Sequence, residues 1–278
     1  MDWSRTLDSQ RGRAVNPTTN AAWFGVLTRT AEETQVETKD FYASDEAAFT
    51  GGHGTRQRVI RARGKGVQHQ QRSGDRETMT VLDTICADGR SLPPTVIYKG
   101  QHFLTSWKQN NPLGYSKKGW MTGTISIEWI KHFDAQTRET ANGKAHMLLV
   151  DGHVTHYTCS FLEYAREHNI HVLCYPAHAT HVYQGLNVAL FGPLKTAYGQ
   201  ERDRWEREKH EKVSKKNFLK IYGRAHVRVM TPENVRAVFR ASGSWPINPA
   251  AITPQMLAMS RETSWQAHMP LPQPTPVR

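Results

Sequence analysis

Residues 146–176, HMLLVDGHVTHYTCSFLEYAREHNIHVLCYP, set the fold class of this chain. HMLLV is a short continuous apolar run, typical of a buried strand, and it ends on Asp151. In CSFLEYAREHN, the apolar residues Phe161, Leu162 and Ala165 share one face at helical spacing. IHVLCYP is apolar and β-branched again, as expected of a second buried strand. The order strand, helix, strand indicates an α/β sheet.

The residues before this stretch add further strands. DFYASDEAAF (40–49) is a short aromatic run that predicts a strand ending in Asp45 and Glu46. TMTVLDTICADG (78–89) and PPTVIYKG (93–100) are β-branched, and the turn between them suits an antiparallel connection. A helix is predicted over 125–141 from its apolar period. Three antiparallel-type strands followed by alternating helices and strands predict a mixed sheet with helices on its faces.

The chain divides into four predicted segments. Residues 1–39 are a helical lead-in whose helix begins at Asn16-Pro17, and residues 40–200 are the α/β core. Residues 201–252 form a helical C-terminal extension, in which Thr231 is an N-cap and Gly243 ends a helix. Residues 253–278 are rich in proline, and we expect a disordered tail.

The charge of the chain favours a polyanionic partner. There are 36 Lys and Arg against 25 Asp and Glu, giving a net charge of +11. Nucleic acid is the first candidate, and a well-solvated basic surface is the alternative. The candidate DNA-backbone contacts lie in one glycine- and arginine-rich segment, for which a solvated loop is the other interpretation: Arg56, Arg58, Arg61, Arg63 and Lys65. No apolar run approaches the roughly 18 residues that a membrane helix needs, so no membrane partner is expected.

Two carboxylates, Asp45 and Asp151, end predicted strands. Such carboxylates suit Mg²⁺, which takes one or two of them and is completed by water and substrate phosphates. Taken singly, each Asp is more often a turn residue or a helix N-cap. Two pairs of histidines, His153 with His156 and His178 with His181, have HxxH spacing. Neither pair has a cysteine or a clear carboxylate at ligand spacing. Hydrogen bonding or phosphate contact is therefore favoured over zinc.

Three stretches together closely resemble the DDE superfamily endonucleases of pogo-like and Tigger-like transposases: residues 40–49, 148–198 and 239–249. Residues 56–100 are similar to the fungal branch of that group. The resemblance spans about residues 3–252, and its DGHxxH and PxHxTHxxQ patterns are specific. It implies an RNase H-like fold and Mg²⁺- or Mn²⁺-dependent DNA strand cleavage and transfer.

The resemblance also implies the site residues. Asp45 corresponds to the first family carboxylate and Asp151 to the second, and these two would hold the metal. The third carboxylate belongs to a Q-x-L-D-V segment, which here reads Gln184 to Val188 and carries Asn187 in place of aspartate. An amide oxygen can contact Mg²⁺, but without formal charge it holds the ion far more weakly. Glu201 is about 21 Å farther along a continuous helix and cannot substitute.

These observations lead to two expectations of different classes. The first is a DDE endonuclease domain with activity impaired at Asn187, and the second is a non-enzymatic DNA-binding protein, domesticated or a remnant. The chain begins without the helix-turn-helix modules of its relatives, so DNA contacts are expected to be mainly to phosphates. A nuclear location and self-association into a homo-oligomer are further expectations.

Overall fold

A computed structural model describes residues 14–52, 77–101, 113–153, 155 and 158–257 of the 278-residue chain. Its elements, in chain order, are α1 (Pro17–Thr34), β1 (Phe41–Thr50), β2 (Thr78–Cys86), β3 (Thr95–Lys99), β4 (Leu113–Ser116), α2 (Gly123–Ala141), β5 (His146–Val150), α3 (Cys159–Glu167), β6 (Ile170–Cys174), α4 (Thr180–Tyr183), a π-helical turn (Leu186–Leu190), α5 (Phe191–Lys209), α6 (Phe218–Val229) and α7 (Pro232–Ala241). The predicted basic segment, Arg56 to Lys65, and most of the proline-rich tail lie outside the described residues.

The described strands form one six-stranded mixed sheet in the order β4-β3-β2-β1-β5-β6. β2 pairs antiparallel with both β1 and β3, whereas β5 pairs parallel with β1 and β6. The predicted mixed sheet is therefore confirmed. β4, which pairs parallel with β3 at one edge, is not among the strands predicted above.

Helices cover both faces of the sheet, as the two apolar clusters show. One face packs against α1 and the C-terminal helices, with Trp23, Tyr183, Phe218 and Phe239 among its buried side chains. The other face packs against α2 and α3 and buries, for example, Trp129. The C-terminal helical extension thus shares a core with the sheet.

Two helix starts show how local sequence defines the elements. The Asn16 side chain accepts a hydrogen bond from the Thr19 backbone N–H, and Pro17 occupies the first turn of α1. Thr231 caps α7 in the same way, again followed by proline. Both starts agree with the predicted capping residues, because the cap oxygen satisfies a backbone donor that the helix leaves unpaired. After α7 the backbone turns at Gly243 with φ +66°, as predicted for the residue that ends this helix.

β1 is longer than predicted. The prediction that this strand ends at Asp45 and Glu46 is wrong, because its pairing with β2 continues to the Thr50–Thr78 pair. The burial of Ala47 and Phe49 in the core explains the extension. Asp45 consequently lies in the middle of a strand.

Candidate active site

Asp45 and Asp151 lie on neighbouring parallel strands in matching register. Ala43 of β1 is paired with Leu149 of β5, and each aspartate follows two residues later on its strand's path. Residues at matching register point to the same face of a sheet. The Asp151 charge raises the pKa of Asp45, so the two carboxylates interact. The structure therefore brings together the two carboxylates that the sequence singled out.

Asp45 is a buried carboxylate that is only partly satisfied. Its Oδ1 accepts a hydrogen bond from the backbone N–H of Glu46 at 2.8 Å. Its Oδ2 is buried and has no hydrogen-bond partner among the described residues. Burial first, and then the Asp151 charge, raise the pKa of Asp45 well above its usual range. A cation would relieve both the burial cost and the repulsion between the carboxylates.

Asp151 follows β5 directly and is only half-buried. Its Oδ1 accepts a hydrogen bond from the backbone N–H of His153 at 3.2 Å, which fixes the carboxylate at the start of the DGH loop. This loop end is more open than the position of Asp45, so solvent reaches the site from the Asp151 side.

Asn187, the predicted third position, belongs to the π-helical turn that packs against β1. Its side chain is exposed at the turn, and its Nδ2 donates a hydrogen bond to Oε1 of Gln184 at 2.7 Å. The Gln184 amide in turn lowers the pKa of Asp45, so it lies against that carboxylate. Asn187 is thus connected to the site through Gln184.

Tyr175 is a site residue that the sequence reasoning missed. It directly follows β6, is buried, and packs on Trp23 with ring centroids 5.4 Å apart. Its pKa is raised by burial and by the charges of Asp45 and Asp151, so its phenol lies near both carboxylates. The available signal was its position in the chain, since Tyr175 directly follows β6 as Asp151 directly follows the neighbouring strand β5.

The residues present suit a divalent cation held mainly by Asp45 and Asp151. Two carboxylates with an unpartnered buried oxygen form the kind of oxygen-donor set that Mg²⁺ prefers. The amide of Asn187 offers a neutral oxygen at most. Within the described parts of the chain, no group of three or more His, Cys, Asp or Glu side chains is arranged to hold a metal ion.

The strand order of the mixed sheet is that of an RNase H-like fold. A sequence model of the DDE superfamily endonuclease family matches residues 75–239, more than half of the chain. The chain belongs to the DDE superfamily endonucleases, in the branch of pogo- and Tigger-like transposase domains.

Two relatives match this chain in sequence over different lengths. A protein of Cochliobolus lunatus named MFS-type transporter clz9 is 31% identical over 250 residues, which are 84% of this chain and 27% of that protein. The mouse protein named pogo transposable element with KRAB domain is 23% identical over 128 residues, or 46% of this chain and 21% of that protein. The chain thus spans about a quarter of the length of these curated relatives.

None of the helices in the described ranges is long and apolar enough to cross a membrane.

Among solved structures, the Mos1 transposase paired-end complex with left transposon end matches with a TM-score of 0.50 at 10% identity. It covers 85% of this chain and 65% of that one. A Mos1 mariner paired-end complex with Mn matches with the same TM-score at 11% identity, covering 88% and 65%. At this level of identity the likeness concerns the fold alone.

Proposed function

We propose that this domain descends from an active DNA-cleaving transposase and retains the metal-binding carboxylates while its cleavage activity is impaired. The observation that carries the proposal is the matched register of Asp45 and Asp151, together with an amide at the third position. A bound Mg²⁺ or Mn²⁺ would supply positive charge for activating water and stabilising a leaving phosphodiester oxygen. Asp45 and Asp151 would hold it.

Each residue of the site has a role in this proposal. Asp45 supplies a fixed carboxylate from the middle of a rigid strand, and Asp151 supplies a second from the more open loop end. Asn187 provides no negative charge where the family pattern has one. Because catalytic magnesium sites rely on charged oxygen ligands, a second ion would be held weakly, and cleavage would be slow.

We further propose that DNA is the partner and is bound mainly through its phosphates. The net charge of +11 supports this, and so does the basic segment that contains Arg56, Arg58, Arg61, Arg63 and Lys65. Affinity for unrelated duplexes should be similar and should fall steeply with salt. A nuclear location follows from a DNA partner, and self-association is part of the same proposal.

A nicking assay on supercoiled DNA with Mn²⁺ tests the catalytic part. We expect little or no nicking by the natural chain. Asn187→Asp should raise the rate by at least about 100-fold, the size typical of losing one preorganised electrostatic contact in a transition state. Asp151→Asn in that variant should abolish the gain, which controls for a contaminating nuclease. Fast nicking by the natural chain that Asp151→Asn abolishes would contradict the impairment.

The second candidate is a DNA-binding protein without catalysis. The engagement of Asn187 with Gln184 favours it, because the third position is used for hydrogen bonding within the protein. Salt-dependent DNA binding together with no nicking after Asn187→Asp would support this second function.

A further inference from the structure

Gln184 lies two residues before the π-helical turn that carries Asn187, and its side chain is hydrogen-bonded to Asn187. Gln184 is 1% exposed, and its backbone is held on both sides. Its N–H donates to the Thr180 carbonyl at 3.1 Å, and its own carbonyl accepts from the Val188 N–H at 3.1 Å. The next residue, Gly185, packs so closely on α7 that an added Cβ would lie 2.8 Å from the Val238 carbonyl oxygen. The backbone position of Gln184 is therefore fixed by hydrogen bonds and packing.

The hydrogen bond from Asn187 decides which end of the Gln184 amide faces Asp45. A carboxamide has one acceptor oxygen and one donor nitrogen. Because the Asn187 Nδ2 donates to Oε1, the acceptor end is occupied and Nε2 remains. Nε2 is buried without a hydrogen-bond partner of normal geometry among the described residues, and the same holds for Oδ2 of Asp45. The two atoms are a complementary donor and acceptor, and the π-helical turn that follows Gln184 packs against β1, the strand that carries Asp45.

We propose that Gln184 is a positioning residue: Asn187 orients its amide, and the amide N–H in turn holds the carboxylate of Asp45. Position 187 then acts on Asp45 through hydrogen bonds instead of through its own charge. An aspartate at 187 has no hydrogen to donate at neutral pH. It would attract Nε2, and the amide would turn its oxygen towards Asp45. The importance of this coupling for catalysis rests on the proposed function, but the coupling itself requires neither metal nor DNA.

The side-chain amide resonances of Gln184 test the coupling in the metal-free full-length chain. They are assigned by their loss in Gln184→Glu. Asn187→Ala and Asp45→Asn should each shift these resonances, and Asn187→Ala should make the Nε2 protons exchange with solvent about tenfold faster, as expected when an ordering contact is lost. Asn187 is exposed, so Asn187→Ala should fold normally. The Gln136 amide, which donates to the His132 carbonyl on α2, should not respond to either variant.

A metal titration gives a second, independent measurement. Gln184→Glu keeps the acceptor for Asn187 and adds a carboxylate beside Asp45, so Mn²⁺ alone should bind about tenfold tighter, since carboxylate count tunes affinity. Gln136→Glu adds the same charge on α2 and should leave Mn²⁺ affinity unchanged. A Gln184 amide signal that Asn187→Ala leaves unaltered would overturn the proposal. Failure of the nicking assay with an intact amide response would count against the proposed function alone.

Discussion

Asp45 of β1 and Asp83 of β2 are neighbours in the sheet, but their carboxyl groups differ in hydrogen bonding. The two residues are paired in register, so both side chains point towards the C-terminal helices, and both are buried. The Tyr222 hydroxyl lies 2.7 Å from Oδ1 and 2.6 Å from Oδ2 of Asp83, so its single hydrogen is shared between the two carboxyl oxygens. Asp45 has one buried oxygen, Oδ2, to which none of the described residues donates a hydrogen bond.

This difference in hydrogen bonding separates Asp83, which has a structural role, from Asp45, which belongs to the candidate active site. Burial raises the pKa of Asp83 to about 7, while the Tyr222 hydroxyl acts in the opposite direction. The Nε2 of His226 is 3.5 Å from Oδ1 of Asp83, but burial lowers the pKa of His226 to about 4, so the imidazole is neutral at pH 7. Asp83 is thus enclosed by protein groups, whereas Asp45 lies beside a second carboxylate that the loop end leaves accessible.

The largest expected effect is on metal affinity, which should depend on Asp45 and not on Asp83. Asp45→Asn should weaken Mn²⁺ binding by more than about 100-fold, since even outer partners of metal ligands typically contribute 10–100-fold. Asp83→Asn, an identical chemical change one strand away, should leave the affinity unchanged. Isothermal titration calorimetry of both variants measures the contrast. Equal losses would mean that Asp83 also contributes to the metal site.

The next effect concerns stability at Asp83. Tyr222→Phe removes the hydroxyl donor that both oxygens of Asp83 share and leaves a buried carboxyl without it, so the free energy of unfolding should fall by about 2–3 kcal/mol. Tyr183→Phe is the matched control, because it removes a single hydrogen bond to Asn20, and it should cost about 1 kcal/mol. Urea denaturation at pH 7 measures both. Similar losses in the two variants would show that Asp83 gains nothing special from Tyr222.

The smallest effect is the pH dependence of stability. The folded-state pKa of Asp83 is raised, so its contribution is present at low pH and is lost as the pH rises towards about 7. The folded-state pKa of His226 is lowered, so its contribution is present above the ordinary histidine pKa and is lost as the pH falls towards about 4. Between about pH 4 and pH 7, a rise in pH therefore lowers the contribution of Asp83 to the free energy of unfolding and raises that of His226.

Single substitutions should separate these slopes. Relative to the natural chain, Asp83→Asn should gain stability as the pH rises from 5 to 7, and His226→Gln should lose it, each by at most about 1.4 kcal/mol per pH unit. Denaturation at pH 5, 6 and 7 gives the slopes. Identical slopes in both variants would contradict the assigned directions.

The sequence predicted most elements because their signals are local. The capping residues of α1 and α7, the apolar period of α2 and the continuous apolar runs of β5 and β6 all depend on neighbours within a few positions. The end of β1 was predicted wrongly at Asp45, because that strand's length is set by pairing with β2, which follows it in the chain after a long segment. β4 was missed for a similar reason, as a short edge strand has little periodic pattern of its own.

At the site, the sequence pointed to Asp45 and Asp151 through their places after predicted strands, and its resemblance to the DDE family pointed to Asn187 as the third position. Only the tertiary structure decided that Asp45 and Asp151 lie at matching register, that Tyr175 lies near them, and that Asn187 is hydrogen-bonded to Gln184. It also decided which of two paired acids is enclosed, through a tyrosine 139 positions away from Asp83 in the chain. Burial and hydrogen bonding depend on residues distant in sequence, so no local pattern encodes them.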